Sequence, residues 1–131
     1  MTAANMIDRL FDHSEFVELH ADFLELLDNQ AAATAIDAHL DRLQQHLVRQ
    51  FAAEEQAMQA ASFHAAEAHK KHHDHALDKL AQRIAQWRQA HDRKSLLDYA
   101  ETELAEWFVS HVNIRDYVTA HHLGIRQGAG S

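Results

Sequence analysis

Histidine is unusually frequent in this chain, at 13 of 131 positions, and His69 and His73 are four residues apart. On a helix such a pair projects from one face, so both rings can reach a single ion. Imidazole is the commonest protein ligand for transition metals. The spacing therefore suggests a metal site, although a solvated, histidine-rich helix face would show the same spacing.

A carboxylate is predicted on a buried stripe of another helix. Glu54 shares the apolar stripe of Leu47, Phe51 and Met58. An isolated buried charge is very costly, so a carboxylate in this position needs a partner, and a metal ion would be one. The alternative is that the stripe is displaced by one residue and that Glu54 lies at its edge.

A histidine and an aspartate also follow an aromatic turn near the C-terminus. His111 is preceded by Trp107 and Phe108, and Asp116 comes five residues later. On an ideal helix that offset is about 140°, so the two side chains flank the core-facing edge and could enter a bundle centre from its two sides. Alone, the segment fits equally a partly exposed histidine followed by a surface aspartate.

His20 lies between Phe16 and Phe23 on an apolar stripe near the N-terminus. A lone histidine in such a place is more often a hydrogen-bonded core residue than a ligand. Taken with the other segments, however, it means that each predicted helix offers one inward nitrogen or oxygen. Two irons that are bridged by two carboxylates and capped by histidines need that supply.

Four helices are predicted to position these residues. The chain has no proline, and its three glycines all come at or after Gly124, so nothing earlier forces a helix to break. The predicted helices span residues of about 12–29, 34–60, 63–90 and 95–122. Their predicted N-caps are Thr34, Ser62 and Ser95. Short connectors favour an all-α, antiparallel up-down-up-down four-helix bundle, formed by a single domain over 1–131 with a C-terminal tail from about 123.

Composition excludes several classes of protein. A formal net charge of −8 gives no electrostatic reason to bind DNA or RNA. No apolar run is long enough to span a bilayer, and the N-terminus lacks the layout of a signal peptide. Without cysteine there is no disulfide framework, thiolate zinc site or catalytic thiol. A soluble, cytoplasmic protein is therefore expected.

Four segments, in order along nearly the whole chain, resemble those of the bacterial hemerythrin family. The run HKKHHDHAL from His69 resembles the family's H-x-x-x-H helix, and WFVSHVNIRD from Trp107 resembles its Trp-led H-x-x-x-x-D signature. QFAAEEQAM from Gln50 resembles the family's H-F-x-x-E-E-x-x-M segment, and HADFLELLDN from His20 resembles its first-helix histidine segment. The combination is specific, although each piece alone is not.

The resemblance implies an oxo- or hydroxo-bridged pair of iron ions that binds O2 or another small diatomic. It implies that three residues cap one iron: His69, His73 and His111. His20 would serve the second iron, while Glu54 and Asp116 would bridge both. The apolar oxygen pocket would be formed by Phe23, Trp107, Phe108 and Val112.

The chain departs from the family pattern at Gln50, which stands where the family has a histidine ligand of the second iron. Glutamine is a weak, neutral oxygen donor. Gln50 could ligate through its carbonyl, water could fill the position, or His46, one turn earlier, could take over. Helical side chains lean toward the N-terminus, so His46 starts about 6 Å too far along the axis and could instead hydrogen-bond Gln50.

Three functions follow from this reading. The first is an O2 carrier, store or sensor. The second is a di-iron enzyme that acts on peroxide or nitric oxide, with Gln50 leaving the second iron more open; no residue beyond the ligands is singled out as catalytic. A ferritin-type oxidase is disfavoured because the chain lacks Glu-x-x-His motifs. The third is a helical protein with adventitious zinc or nickel.

No protein partner can be identified. The remaining histidines are predicted to be solvated: His13, His39, His64, His72, His75, His91, His121 and His122.

Overall fold

The structure, a computed structural model, describes residues 13–111, and within that range it is all-helical, without strands. The helices are α1 (Ser14–Asp28), α2 (Ala33–Ala60), α3 (Ala66–Ala90), α4 (Arg93–Glu101) and α5 (Glu103–Ser110). Segments α4 and α5 together form the fourth helix, which is interrupted at Thr102. The expected all-α class is confirmed.

The helices enclose one large apolar core, and Met58 and Phe63 form a second, smaller cluster. Helix α1 contacts α2 and α4, α2 contacts α3, and α3 contacts α4, so the four helices form a closed ring. The stripes expected from the sequence face inward: Phe23, Ile36, Leu40, Leu43 and Leu80 are fully buried. Burial of apolar surface stabilises a fold by about 25 cal/mol per Å² of area removed from water. This burial provides most of the stability of helices of this length. No helix within residues 13–111 combines the length and the apolar character needed to cross a membrane.

The connectors are short, and each contains one residue in the left-handed backbone region. Gln30 and Ser62 have φ of 53°, and His91, the C-cap of α3, has φ of 51°. Glycine usually takes this role at helix ends, but the described segment contains none. Each connector therefore places a non-glycine residue in this costly backbone region.

The expected N-caps are wrong in all three cases. Helix α2 begins one residue before Thr34, with Ala32 as its N-cap. Ser62 lies in the left-handed turn, and α3 starts only at Ala66. Asp92, rather than Ser95, caps α4, because its carboxylate accepts a hydrogen bond of 3.1 Å from the backbone N–H of Ser95.

A continuous last helix was also expected, but the structure breaks it at Thr102. The hydroxyl of Thr102 donates to the carbonyl oxygen of Asp98 at 2.6 Å, and the backbone there has φ −109° and ψ −79°. A threonine hydroxyl that bonds to a carbonyl four residues earlier competes with regular helix geometry. Trp107 thereby lies on a separate helical segment, α5, and His111 is the C-cap of that segment.

Candidate metal centre

Four side chains from three helices converge in the core. Glu54 comes from α2, His69 and His73 from α3, and His111 follows α5; all four are buried. One ligand atom of each lies within 4.8 Å of all the others. The four residues, called the three-His/Glu cluster below, were each predicted from the sequence as metal ligands.

The distances within the cluster suit a shared ion. Glu54 Oε1 lies 3.1 Å from His73 Nε2, 3.6 Å from His69 Nε2 and 3.8 Å from His111 Nε2. Nitrogen and oxygen ligands lie about 2.0–2.2 Å from an ion such as zinc. Two ligands at that radius are about 3.0 Å apart at a right angle and about 3.6 Å apart at 120°. The donor set therefore fits a first-row metal ion.

The arrangement of the imidazole rings follows from the four-residue spacing of His69 and His73 and from the rings of His111 and Phe51 that pack against them. His69 and His73, one turn apart on α3, have ring centroids 4.5 Å apart and an interplanar angle of 68°. The His111 ring lies 5.1 Å from His69 and 5.0 Å from His73. Phe51 packs flat on His73, with 3.9 Å between centroids and an interplanar angle of 2°. The aromatic contact fixes the plane of the His73 ring.

Glu54 is costly to bury, because it is a carboxylate whose side chain is 0% exposed. A carboxylate buried this deeply is costly unless cations or hydrogen-bond donors surround it. Its Oε1 faces the three histidines, while its Oε2 accepts a hydrogen bond of 3.0 Å from Gln50 Nε2. Gln50 thus contacts the carboxylate oxygen of Glu54 that does not face the histidines.

Glu55 belongs to the site, although the sequence reading did not single it out. His73 Nδ1 lies 3.0 Å from Glu55 Oε2. An ionised carboxylate only accepts hydrogen bonds, so the ring nitrogen donates. The signal that could have identified Glu55 is its place one residue after a buried carboxylate, on a helix facing a histidine that needs an acceptor for its second nitrogen.

His20, predicted as a ligand of a second iron, is not among the members of the cluster. Its Nε2 lies 2.8 Å from the carbonyl oxygen of Ala100 on α4, and its ring stacks on Phe16. His20 is thus a partly buried, hydrogen-bonded histidine at the edge of the core. Asp116, the second predicted bridging carboxylate, lies outside the described residues.

His46, the possible substitute for Gln50, is buried but is also outside the cluster. Its Nδ1 lies 3.5 Å from Glu15 Oε2, so it faces α1. Burial lowers the pKa of His46; Glu15 opposes this effect, and the positive charges of Arg49 and His13 add to it.

The residues predicted to form an oxygen pocket are divided between two environments. Trp107 stacks on His111 with 4.7 Å between ring centroids, so it covers one ligand of the cluster. Phe108 stacks instead on Phe16 at 4.4 Å, and Phe23 stacks on His39 at 5.7 Å. Val112, the fourth predicted pocket residue, lies outside the described residues.

The prediction that His39 is solvated is wrong. Its side chain is buried, with 4% exposure, and its Nε2 lies 2.7 Å from the carbonyl oxygen of Leu19. His13 and His72 are half-buried, with His72 stacked on Trp107 and on His111. Solvent exposure is confirmed for His64, His75 and His91, whereas His121 and His122 lie outside the described residues.

Comparison with known proteins does not assign the chain to a family. No protein-family model matches it, and no curated protein or solved structure shows significant similarity. The three-His/Glu cluster is therefore the basis for any functional assignment, and it supports the binding of a metal ion in the core of a helical bundle.

Proposed function

We propose that this chain is a non-haem di-iron protein that binds O2, as a carrier, store or sensor, in the core of a four-helix bundle. One observation carries the proposal: buried Glu54 lies within 3.8 Å of the Nε2 atoms of three buried histidines from two other helical segments. Folding alone gives no reason to gather four costly polar groups at one buried point. A metal ion satisfies all four of them at once.

The donor types fit a transition metal such as iron better than they fit magnesium or calcium. Three imidazoles and one carboxylate suit iron, copper, nickel and zinc, and they do not suit magnesium or calcium, which prefer oxygen ligands. In the proposed pair, His69, His73 and His111 would hold one iron, and Glu54 would be a ligand of both. Asp116 is the other proposed bridge.

The second position would lie on the Gln50 side of Glu54, because that is the direction of the remaining carboxylate oxygen. Gln50 directs its amide nitrogen to Glu54 Oε2 at 3.0 Å, an arrangement in which it donates a hydrogen bond. His20 would complete this position through a ring nitrogen, with Gln50, His46 or water beside it. A ferrous pair would supply the electrons and the coordination position that O2 requires. Phe51 and Trp107, which cover His73 and His111, keep water away from those ligands.

The proposed bundle is antiparallel, in up-down-up-down order. The support is the shortness of the connectors: residues 29–32, 61–65 and 91–92 are all that separate the four helices. Connections of this length join helices that run side by side in opposite directions. The proposed domain extends over the whole chain, with its tail from about residue 123.

The experiment that tests the proposal is metal analysis combined with visible spectra of the reduced protein before and after exposure to air. We expect two irons per chain, a near-ultraviolet and visible absorption that develops in air, and its reversal under argon. Substoichiometric metal that a mild chelator removes, with no absorption in air, would instead identify adventitious zinc or nickel and refute the proposal.

A second candidate function is a di-iron enzyme that acts on peroxide or nitric oxide. The observation that favours it is the hydrogen bond from Gln50 to Glu54, which leaves the second position with one protein ligand fewer than the family pattern supplies. Restoring histidine with Gln50→His should then lengthen the lifetime of the oxygenated protein. An equal autoxidation rate in the two proteins would contradict this role of Gln50, while peroxide turnover without reversible oxygenation would favour the enzyme.

A further inference from the structure

We infer that Glu55 is a positioning residue: it fixes the orientation and the protonated nitrogen of His73 and thereby sets the metal affinity of the three-His/Glu cluster. The orientation follows from the contacts of His73 alone, whereas the effect on affinity rests on the metal binding proposed above.

The His73 ring is held on three sides by a single helix. Phe51, Glu54 and Glu55 occupy positions i, i+3 and i+4 of α2, which lie on one helix face. Phe51 covers the face of the ring at 3.9 Å, Glu54 Oε1 approaches Nε2 at 3.1 Å, and Glu55 Oε2 approaches Nδ1 at 3.0 Å. The ring itself is 0% exposed, so these three contacts, together with the neighbouring rings of His69 and His111, determine its orientation.

The two adjacent glutamates have different environments and therefore different roles. Glu54 is 0% exposed and lies among three histidines, whereas Glu55 is 20% exposed and contacts the outer nitrogen of His73. A carboxylate at Nδ1 accepts a hydrogen bond from the Nδ1–H group, so the lone pair of the ring is on Nε2, which faces the centre of the cluster where an ion would lie. The same contact increases the electron density that the imidazole can donate to a metal.

This arrangement makes a graded prediction for two substitutions. Glu55→Gln keeps an amide oxygen that accepts from Nδ1 but removes the charge, whereas Glu55→Leu removes both. Loss of such an outer hydrogen-bond partner typically weakens metal affinity by about 10- to 100-fold. We expect the metal affinity of Glu55→Leu to fall by a factor in that range. The affinity of Glu55→Gln should lie between those of Glu55→Leu and the unsubstituted protein. Glu101→Gln, a change at an exposed residue of α4, is the matched control and should leave affinity unchanged.

The test uses the full chain and two measurements. The first is the affinity for Zn²⁺, a redox-inert probe, measured by competition with a chelator. The second is the NMR spectrum of His73 in the metal-free protein, with its signals assigned by their absence in His73→Gln. The ring protons should be shifted upfield by Phe51, and Glu55→Leu should reduce that shift as the ring loses its anchor, whereas Glu55→Gln should retain it.

The outcomes separate this role from the proposed function. If Glu55→Leu binds zinc as tightly as the unsubstituted protein and leaves the His73 signals unchanged, Glu55 does not position His73. If the signals change as expected but the unsubstituted protein binds neither zinc nor iron, the positioning of the ring stands and the proposed function fails. Urea unfolding should show that Glu55→Leu is still fully folded in the absence of urea, which separates lost affinity from lost folding.

Discussion

Replacing Glu54 with glutamine should uncouple the stability of this protein from metal. The substitution preserves the size of the side chain and the contact with Gln50, but it removes a carboxylate that lies within 3.8 Å of all three cluster histidines. A metal that binds the folded chain but not the unfolded chain stabilises the fold by mass action. At a free metal concentration 100 times Kd this contribution is about 2.7 kcal/mol.

The expected loss follows from the same relation. A change in an outer hydrogen-bond partner costs about 10- to 100-fold in affinity, and Glu54 contributes a direct ligand atom, so we expect at least the upper figure. At an unchanged metal concentration the ratio to Kd then falls from 100 to about 1, and the stabilisation falls to about 0.4 kcal/mol. With about 4 °C per kcal/mol for a domain of this size, the rise in Tm on adding metal should shrink from about 10 °C to about 2 °C.

The assay is thermal unfolding followed by circular dichroism, with and without Zn²⁺, for the unsubstituted protein, Glu54→Gln and Glu18→Gln. Glu18 is exposed on α1, so its substitution should preserve the full response to metal. The metal-free Tm of each protein is its own baseline, because the comparison concerns the rise in Tm on adding metal. A Glu54→Gln protein that retains the whole metal-induced rise would refute the assignment of Glu54 as a ligand.

Three further predictions concern the fold itself. Leu40→Ala, at a fully buried site of α2, should lower the free energy of urea unfolding by about 2–5 kcal/mol, whereas Val48→Ala at an exposed site should change it by less than about 0.5 kcal/mol. His39→Ala should cost about 1–3 kcal/mol because a buried hydrogen bond is lost; a cost no larger than that of His75→Ala, at an exposed site, would contradict its burial. Because burial lowers the pKa of His46 from its ordinary value of 6.5, the unfolded chain binds more protons as the pH falls below that value. The metal-free protein should therefore lose stability from pH 7 to 5 more steeply than His46→Gln does; parallel pH profiles would show that His46 is not the cause.

Local sequence patterns determined the helical class and part of the site. A chain free of proline, with apolar residues at helical spacing, has helix as its main way to bury them, and the ring of helices follows. His69 and His73 could be paired in advance because the helix repeat alone places residues four apart on one face. Glu54 could be placed inward for the same reason, since it shares a stripe with Phe51.

The tertiary structure decided which inward groups meet across helices. Helix periodicity fixes the face on which a side chain lies, but it does not fix how far one helix slides or rotates against the next. His20 and His111 are both on apolar stripes, yet the packing directs His20 to the carbonyl of Ala100 and His111 to Glu54. The same packing buries His39 against α1.

The clearest division is at the two adjacent glutamates. From the sequence alone, Glu54 is an inward carboxylate that needs a partner from another helix. Glu55 is an ordinary charged neighbour about 100° further around the helix. Only the approach of α3 to α2 brings the two nitrogens of His73 between them. Residue types and local periodicity set the chemistry that is available, and the contact between helices sets which atoms are close enough to use it.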